Sequence, residues 1–275
     1  MAISAKEVNK LRQMTGAGMM DCKKALVEAE GDFDKAIELL RKKGQKVSAS
    51  RADRETTEGV VFTKTSDDNS KGIMIAFTCE TDFVAKNEDF IALGEEIATL
   101  AFNEAPADIE ALTALKSGDL SVAEKITEAT GKIGEKLAVS SYETMEGEAI
   151  VPYIHSNKKL GVLVSLKNTG GDVVAAGKDV AMQIAAMNPI AVDKDGVDSA
   201  VVEKEIEIGK DQARQEGKPE NIIEKIALGK LNKFFKENTL LSQAFVKDSS
   251  MSISQYLNNV SNGMTVDAFK RVNIG

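Results

Sequence analysis

The sequence predicts an α+β chain in which a three-helix unit precedes two related sheet-and-helix subdomains, the second interrupted by an antiparallel helical hairpin. Three observations predict it. Helical apolar spacing before residue 45 changes to strand-length apolar runs after residue 57, a hairpin-then-helix pattern recurs later in the chain, and a charged helical stretch occupies 197–236.

At 275 residues and 43% hydrophobic content, the chain is long enough for more than one core. The expected division is a three-helix domain at 1–45, a polar linker at 46–57, a first core subdomain at 58–140 and a second at 141–275, with the helical hairpin 197–236 inserted.

In the first unit, Ser4 and Glu7 form a capping box that opens a helix carrying Val8 and Leu11, and Thr15-Gly16-Ala17-Gly18 ends it. Met19, Cys22 and Leu26 stand at i, i+3 and i+7 of a second helix. Asp32 starts a third, whose Phe33, Ala36, Ile37 and Leu40 form one stripe closed by Gly44.

Beyond the linker, Val60-Val61-Phe62 and the run from Gly72 to Phe77 read as strands joined by the turn Ser66-Asp67-Asp68-Asn69-Ser70. A long helix with Phe90, Leu93, Ile97 and Leu100 follows, then two weaker helices before Gly131, and Gly131-Lys132-Ile133-Gly134 reads as a helix break. The same order returns with Ile150-Val151, the strand Gly161 to Leu166, and a helix carrying Val180, Ile184 and Met187. Gly72 and Gly161 lie 89 residues apart, and Glu58 and Glu148 lie 90 apart, which suggests two copies of one α+β unit. Val202, Ile206, Gly209 and Ala213 make one narrow stripe, while Ile223, Ile226, Ala227, Leu231 and Phe234 make another. Gly217-Lys218-Pro219 between them predicts a tight helical hairpin. The tail alternates like a strand through Val266, Ala268 and Val272.

Composition narrows the function. The net charge of -8 opposes nonspecific nucleic-acid binding, which needs a cationic face. Residues 1–55 hold 12 Lys and Arg against 9 Asp and Glu, and the rest 23 against 34, so only the first unit is mildly basic. No apolar run reaches the length of a membrane span, and the start at Met1-Ala2-Ile3 has no signal-peptide core, so a cytoplasmic protein is expected. Cys22 and Cys79 lie far apart on apolar stripes, which favours buried packing in a reducing compartment. His155 is the lone histidine and reads as a strand-end residue; there is no GxSxG elbow, HExxH helix, GxxxxGK[ST] loop or GxGxxG turn. No catalytic residue, metal site or cofactor is expected.

One stretch stands out, Cys79-Glu80-Thr81-Asp82-Phe83-Val84-Ala85-Lys86-Asn87, at a strand-to-helix junction. It reads either as an Asp82 helix cap beside a Phe83 core contact or as a functional loop displayed on a rigid support.

This stretch from Thr81 to Asn87, together with the run from Leu11 to Leu26, resembles the bacterial translation elongation factor Ts family. Ile133-Gly134, Tyr153-Ile154-His155 and Leu240 to Asp248 extend the resemblance over nearly the whole chain. It implies an N-terminal ubiquitin-associated-like fold and guanine nucleotide exchange on elongation factor Tu, in its GDP-bound and nucleotide-free states. By that resemblance, Leu11, Arg12, Met19, Met20 and Lys23 dock on the partner's nucleotide-binding domain. Thr81, Asp82, Phe83 and Val84 would displace the magnesium ion, with Phe83 as wedge, and Ile133, Gly134 and His155 match further contacts. Longer members carry an additional C-terminal helix where this chain ends, and assemblies of 1:1 or 2:2 are expected. The rival expectation is a non-catalytic interaction module, a ubiquitin-like-domain binder or nascent-chain factor, which leaves Thr81 to Val84 without a role. An enzyme relying on carboxylates alone ranks third.

Overall fold

In the computed structural model, which describes residues 3–275, the chain opens with three helices: α1 (Ala5–Thr15), α2 (Met19–Glu28) and α3 (Phe33–Ser50). Met1 and Ala2, where the reading of a missing signal-peptide core begins, lie outside the described residues. The Ser4–Glu7 capping box closes reciprocally, Gly16 ends α1 in the left-handed region at φ 63°, and Asp32 caps α3 by accepting from the Lys35 amide at 3.1 Å. Val8, Leu11, Cys22, Ala25, Leu26 and Ala36 fill the core between them.

Helix α3 does not stop at Gly44. It continues six residues further, into the segment expected to be a linker, because Gly44 is buried where the helix crosses another at backbone distance. A glycine needed for close approach reads, in sequence alone, as a terminator.

The remainder alternates sheet and helix. The first repeat comprises strands β1 (Glu58–Thr65) and β2 (Lys71–Cys79), helices α4 (Asp82–Ala85), α5 (Glu88–Glu104) and α6 (Ile109–Ala114), a small pair β3 (Lys116–Ser117) and β4 (Leu120–Ser121), helix α7 (Val122–Ile133) and strand β5 (Ala138–Glu146). The second comprises β6 (Ala149–Ile154), β7 (Leu160–Lys167), α8 (Val173–Met187), the hairpin α9 (Ser199–Gln215) and α10 (Glu220–Asn238), a pair β8 (Ala244–Phe245) and β9 (Asp248–Ser252), helix α11 (Ile253–Val260) and strand β10 (Thr265–Asn273).

The sheets run β1-β2-β5 and β10-β7-β6, so the inner hairpin strand is central in each. In the second, antiparallel pairing sets Ala149 opposite Leu166 and Ile154 opposite Gly161. The correspondence goes beyond the hairpins. α7 and α11 each follow a short strand pair and each open on a capping box, Ser121 with Glu124 and Ser252 with Gln255. Gly94 of α5 lies against the Phe62 ring of β1, and Gly177 of α8 against Val151 of β6, so a side chain at either glycine would push helix from strand.

Contacts divide the chain into two compact units, the first built from residues up to 62, 75–142 and 273–275, the second from 63–74 and 143–272. In the second unit Val162, Val164 and Leu166 of β7 pack with Val180 and Ile184 of α8 and with Ile253 and Leu257 of α11. β5 runs through the expected subdomain boundary at 140. Its residues Ala138-Val139-Ser140-Ser141-Tyr142-Glu143 lack the apolar run that marked the other strands.

The hairpin closes on itself as its spacing predicts. Gly209 of α9 abuts Ala227 of α10, and Ala213, Ile223 and Leu231 are buried between them. Lys230 reaches across to Gln212 at 2.8 Å and Glu216 at 3.1 Å. Exposed pairs of this kind add little stability, so the narrow apolar seam holds the two helices together.

Candidate functional site

The junction after β2 is built from its base upward. β2 is buried from Gly72 to Cys79, and Phe77 stacks on Phe90 of α5 with ring centroids 4.5 Å apart. α5 is capped by Asn87, whose Oδ1 accepts from the Asp89 amide at 2.8 Å and the Phe90 amide at 3.3 Å. The chain between these anchors, Glu80 to Lys86, is therefore held at both ends.

Within it, Thr81 is the extended N-cap of α4, and its amide and hydroxyl donate to the Glu135 carboxylate at 3.0 and 2.7 Å. Asp82 is not the cap that one sequence reading made it. It opens the helical turn and takes a hydrogen bond from Lys86 Nζ at 2.6 Å, which holds its carboxyl below the usual range. Nor is Phe83 a core contact: it is 82% exposed, while Val84 is half-buried. An aromatic ring left in water on a tied-down turn has a large apolar surface available for burial elsewhere.

Below this turn, Cys79 Sγ donates to the Thr81 carbonyl at 3.2 Å. Burial, reinforced by the Glu135 and Glu58 carboxylates, pushes the thiol up to about 12. Cys22 is likewise buried and free.

The docking residues expected on α1 and α2 separate into two kinds. Arg12, Met19, Met20 and Lys23 are exposed, with Met19 at 51% and Met20 at 62%. Met19 stands outside the buried stripe proposed for it, since the core takes Cys22, Ala25 and Leu26 and stops short of the first turn of α2. Leu11 is fully buried and presents no surface; its packing fixes the helix from which Arg12 projects.

Ile133 ends α7 half-buried, and Gly134 caps it in the left-handed region at φ 86°. Ile133 and Thr15 line one recess, so the end of α7 adjoins the end of α1. The next residue, Glu135, is the one that holds Thr81. The structure thus brings together the ends of α1 and α7 and the base of the Phe83 turn within one unit. His155 belongs to the other unit, exposed after β6, with Nδ1 2.9 Å from Tyr153 Oη.

Sequence reasoning gave no role to Glu80, although it lies in the stretch that stood out, and missed Glu135; the partners of both are remote in sequence. Among the described residues no cluster of three or more His, Cys, Asp or Glu could hold a metal ion, and no helix is long and apolar enough to cross a membrane.

The family model described as elongation factor TS matches residues 80–275, which include the whole Phe83 turn. The chain belongs to the elongation factor Ts family. It is 57% identical to the elongation factor Ts of Amoebophilus asiaticus over 276 residues, covering 100% of both chains. It is 60% identical to that of Cytophaga hutchinsonii and 53% identical to that of Christiangramia forsetii, covering 99% of each chain in both cases. Membership at this identity makes the chain a translation factor of the nucleotide-exchange type with elongation factor Tu as partner.

Proposed function

We infer that the chain releases GDP from elongation factor Tu by mechanical competition, performing no covalent chemistry itself. Arg12, Met19, Met20 and Lys23 dock on the partner, Ile133, Gly134 and His155 add contacts, and the Thr81–Val84 turn enters beside the magnesium ion. The observation that carries this reading is Phe83, 82% exposed on a turn whose first residue, Thr81, is hydrogen-bonded through amide and hydroxyl to Glu135.

A GTPase holds its nucleotide through phosphate-loop amides, a lysine and a magnesium ion that neutralises phosphate charge. A wedge that moves side chains around the metal weakens all three together. Asp82, charged and exposed, adds a carboxylate near the cation's surroundings. Reciprocity then requires nucleotide and factor to lower each other's affinity for the partner by the same free energy.

Magnitude limits how local the effect is. A thousand-fold faster release lowers the barrier by about 4 kcal/mol, whereas burying one phenylalanine contributes about 1.5–3 kcal/mol. The balance must come from the docking face, which holds the turn against a strained partner. The complex acts in the cytoplasm on GDP-bound partner and persists with the nucleotide-free form, as a 1:1 or 2:2 assembly. Release of labelled GDP from elongation factor Tu on adding the protein is the direct test. A rate unchanged at saturating protein overturns the reading.

A further inference from the structure

The exchange reading leaves a cluster of charges under the Phe83 turn without a role. Helix α3 ends at Ser50, and the next residue, Arg51, donates Nη1 to both oxygens of Glu80 at 3.0 and 3.3 Å. Arg54 Nη1 donates to the same carboxylate at 3.1 Å, and the Lys136 amide at 2.6 Å. Lys136 Nζ turns back to the carbonyls of Ala52 at 2.6 Å and Arg54 at 2.8 Å. One residue beyond Glu80, Thr81 is held by Glu135.

Three chain segments therefore converge on two adjacent carboxylates: the end of α3, the β2–α4 junction and the residues after α7. The Glu80 side chain is only 14% exposed. Burial opposes its charge, but the Lys136 amide and the two guanidinium groups outweigh it and hold the carboxyl below the ordinary range. The bonds are directional, and at the start of the turn they act where apolar burial is weak, since Thr81 is partly exposed, Asp82 and Phe83 face water, and Val84 is only half-buried.

The other end of α3 belongs to the docking bundle, where Ala36 lies in its core beside Leu11 and Leu26. Midway, α3 is clasped to α7 by the Gly44–Gly131 crossing and by Arg41 with Glu128 at 2.9 Å. A straight helix of this length, about 27 Å at 1.5 Å per residue, links the docking core to the base of the wedge.

We propose that Glu80 is a positioning residue for nucleotide release: with Arg51 and Arg54 it ties the Phe83 turn to the end of the docking domain's own helix, so that docking sets where the wedge lands. This rests on the exchange reading above. Glu80, enclosed by Arg51, Arg54 and the Lys136 amide, acts through Phe83 in this proposal.

The test is stopped-flow release of labelled GDP from elongation factor Tu, recording saturated rate and half-saturating concentration separately. Compared with wild type are Glu80→Gln, the double variant Arg51→Met/Arg54→Met, Phe83→Ala, and Glu80→Gln combined with Phe83→Ala. Glu80→Gln lowers the saturated rate about ten-fold, the scale expected of a misplaced reacting group, with little change in half-saturation. The arginine variant reproduces that split while keeping the Lys136–Glu80 bond, and it decides alone if Glu80→Gln does not fold. In the Phe83→Ala background Glu80→Gln has no further effect. A wild-type rate for both clamp variants, or rate losses that multiply with Phe83→Ala, overturns the proposal. Failure of wild type to accelerate release would instead overturn the exchange reading, whereas a Phe83→Ala rate equal to wild type removes the wedge and with it this proposal.

Discussion

Gly44 on α3 and Gly131 on α7 cross backbone to backbone, but the two positions are not equivalent. A Cβ placed on Gly131 falls inside contact distance of the Gly44 Cα, whereas one placed on Gly44 meets the Gly131 Cα at an ordinary 3.6 Å. Gly131→Ala therefore forces the helices apart, costing about 1–3 kcal/mol, more than the ~1 kcal/mol of helix propensity gained. Gly44→Ala keeps that gain without the clash. Urea unfolding should show the first variant less stable than wild type and the second equal or more stable; the reverse order refutes this packing.

The docking face predicts a separation between affinity and fold. Met20→Ala removes a side chain that is 62% exposed, so stability should stay within about 0.5 kcal/mol while binding to nucleotide-free elongation factor Tu weakens by about 1–2 kcal/mol. Leu11→Ala does the opposite first. It opens the three-helix core and costs about 2–5 kcal/mol of stability. Titration calorimetry beside thermal unfolding distinguishes the two; wild-type affinity for Met20→Ala removes that residue from the interface.

Cys79 gives a prediction in pH. Its thiol is pushed up to about 12 in the fold, chiefly by burial, so folded and unfolded chains are both protonated at neutral pH and the contribution is fully present there. As pH rises through the ordinary thiol range the unfolded chain loses its proton first, and stability falls toward about pH 12. Native protein at neutral pH should resist a disulfide reagent until denaturant is added, because Cys22 and Cys79 are both fully buried. Rapid labelling of the native chain would contradict this, and Cys79→Ala should flatten the alkaline slope.

How much of this was legible in the sequence depends on the range of the interaction. Ser4 with Glu7, Asp32, and the turn Gly217-Lys218-Pro219 announce themselves because caps and breaks act within four residues. The hairpins β1–β2 and β6–β7 were visible through apolar runs, and their spacing exposed the repeat. Its second halves were legible only in part: the two weaker helices before Gly131 and the tail strand were, while β5 and α11 were not. β5 is half polar, and α11 is only eight residues long, too short for a periodic signal. Gly44 misled because only α7, far along the chain, makes a glycine there a packing residue. At the site, Thr81 to Val84 stood out as a motif, but whether Phe83 faced core or water was a tertiary question. Glu80 and Arg51, 29 residues apart, carry no local sign of their pairing.

Phe83 separates chemistry from folding most cleanly. With the ring 82% exposed, Phe83→Ala should leave the unfolding midpoint in place, since the free protein loses almost no burial. A wedge that buries this ring in the complex would lose about 1.5–3 kcal/mol in the strained state on its removal, slowing GDP release about ten- to a hundred-fold. Asp82→Asn should give a smaller loss, because Lys86 already draws on that carboxylate at 2.6 Å and part of its charge is satisfied within the turn. Stopped-flow release at saturating protein measures both. A wedge requires the order wild type, then Asp82→Asn, then Phe83→Ala in falling rate; if Asp82→Asn is the slower of the two, release is driven by charge at the cation and not by the ring.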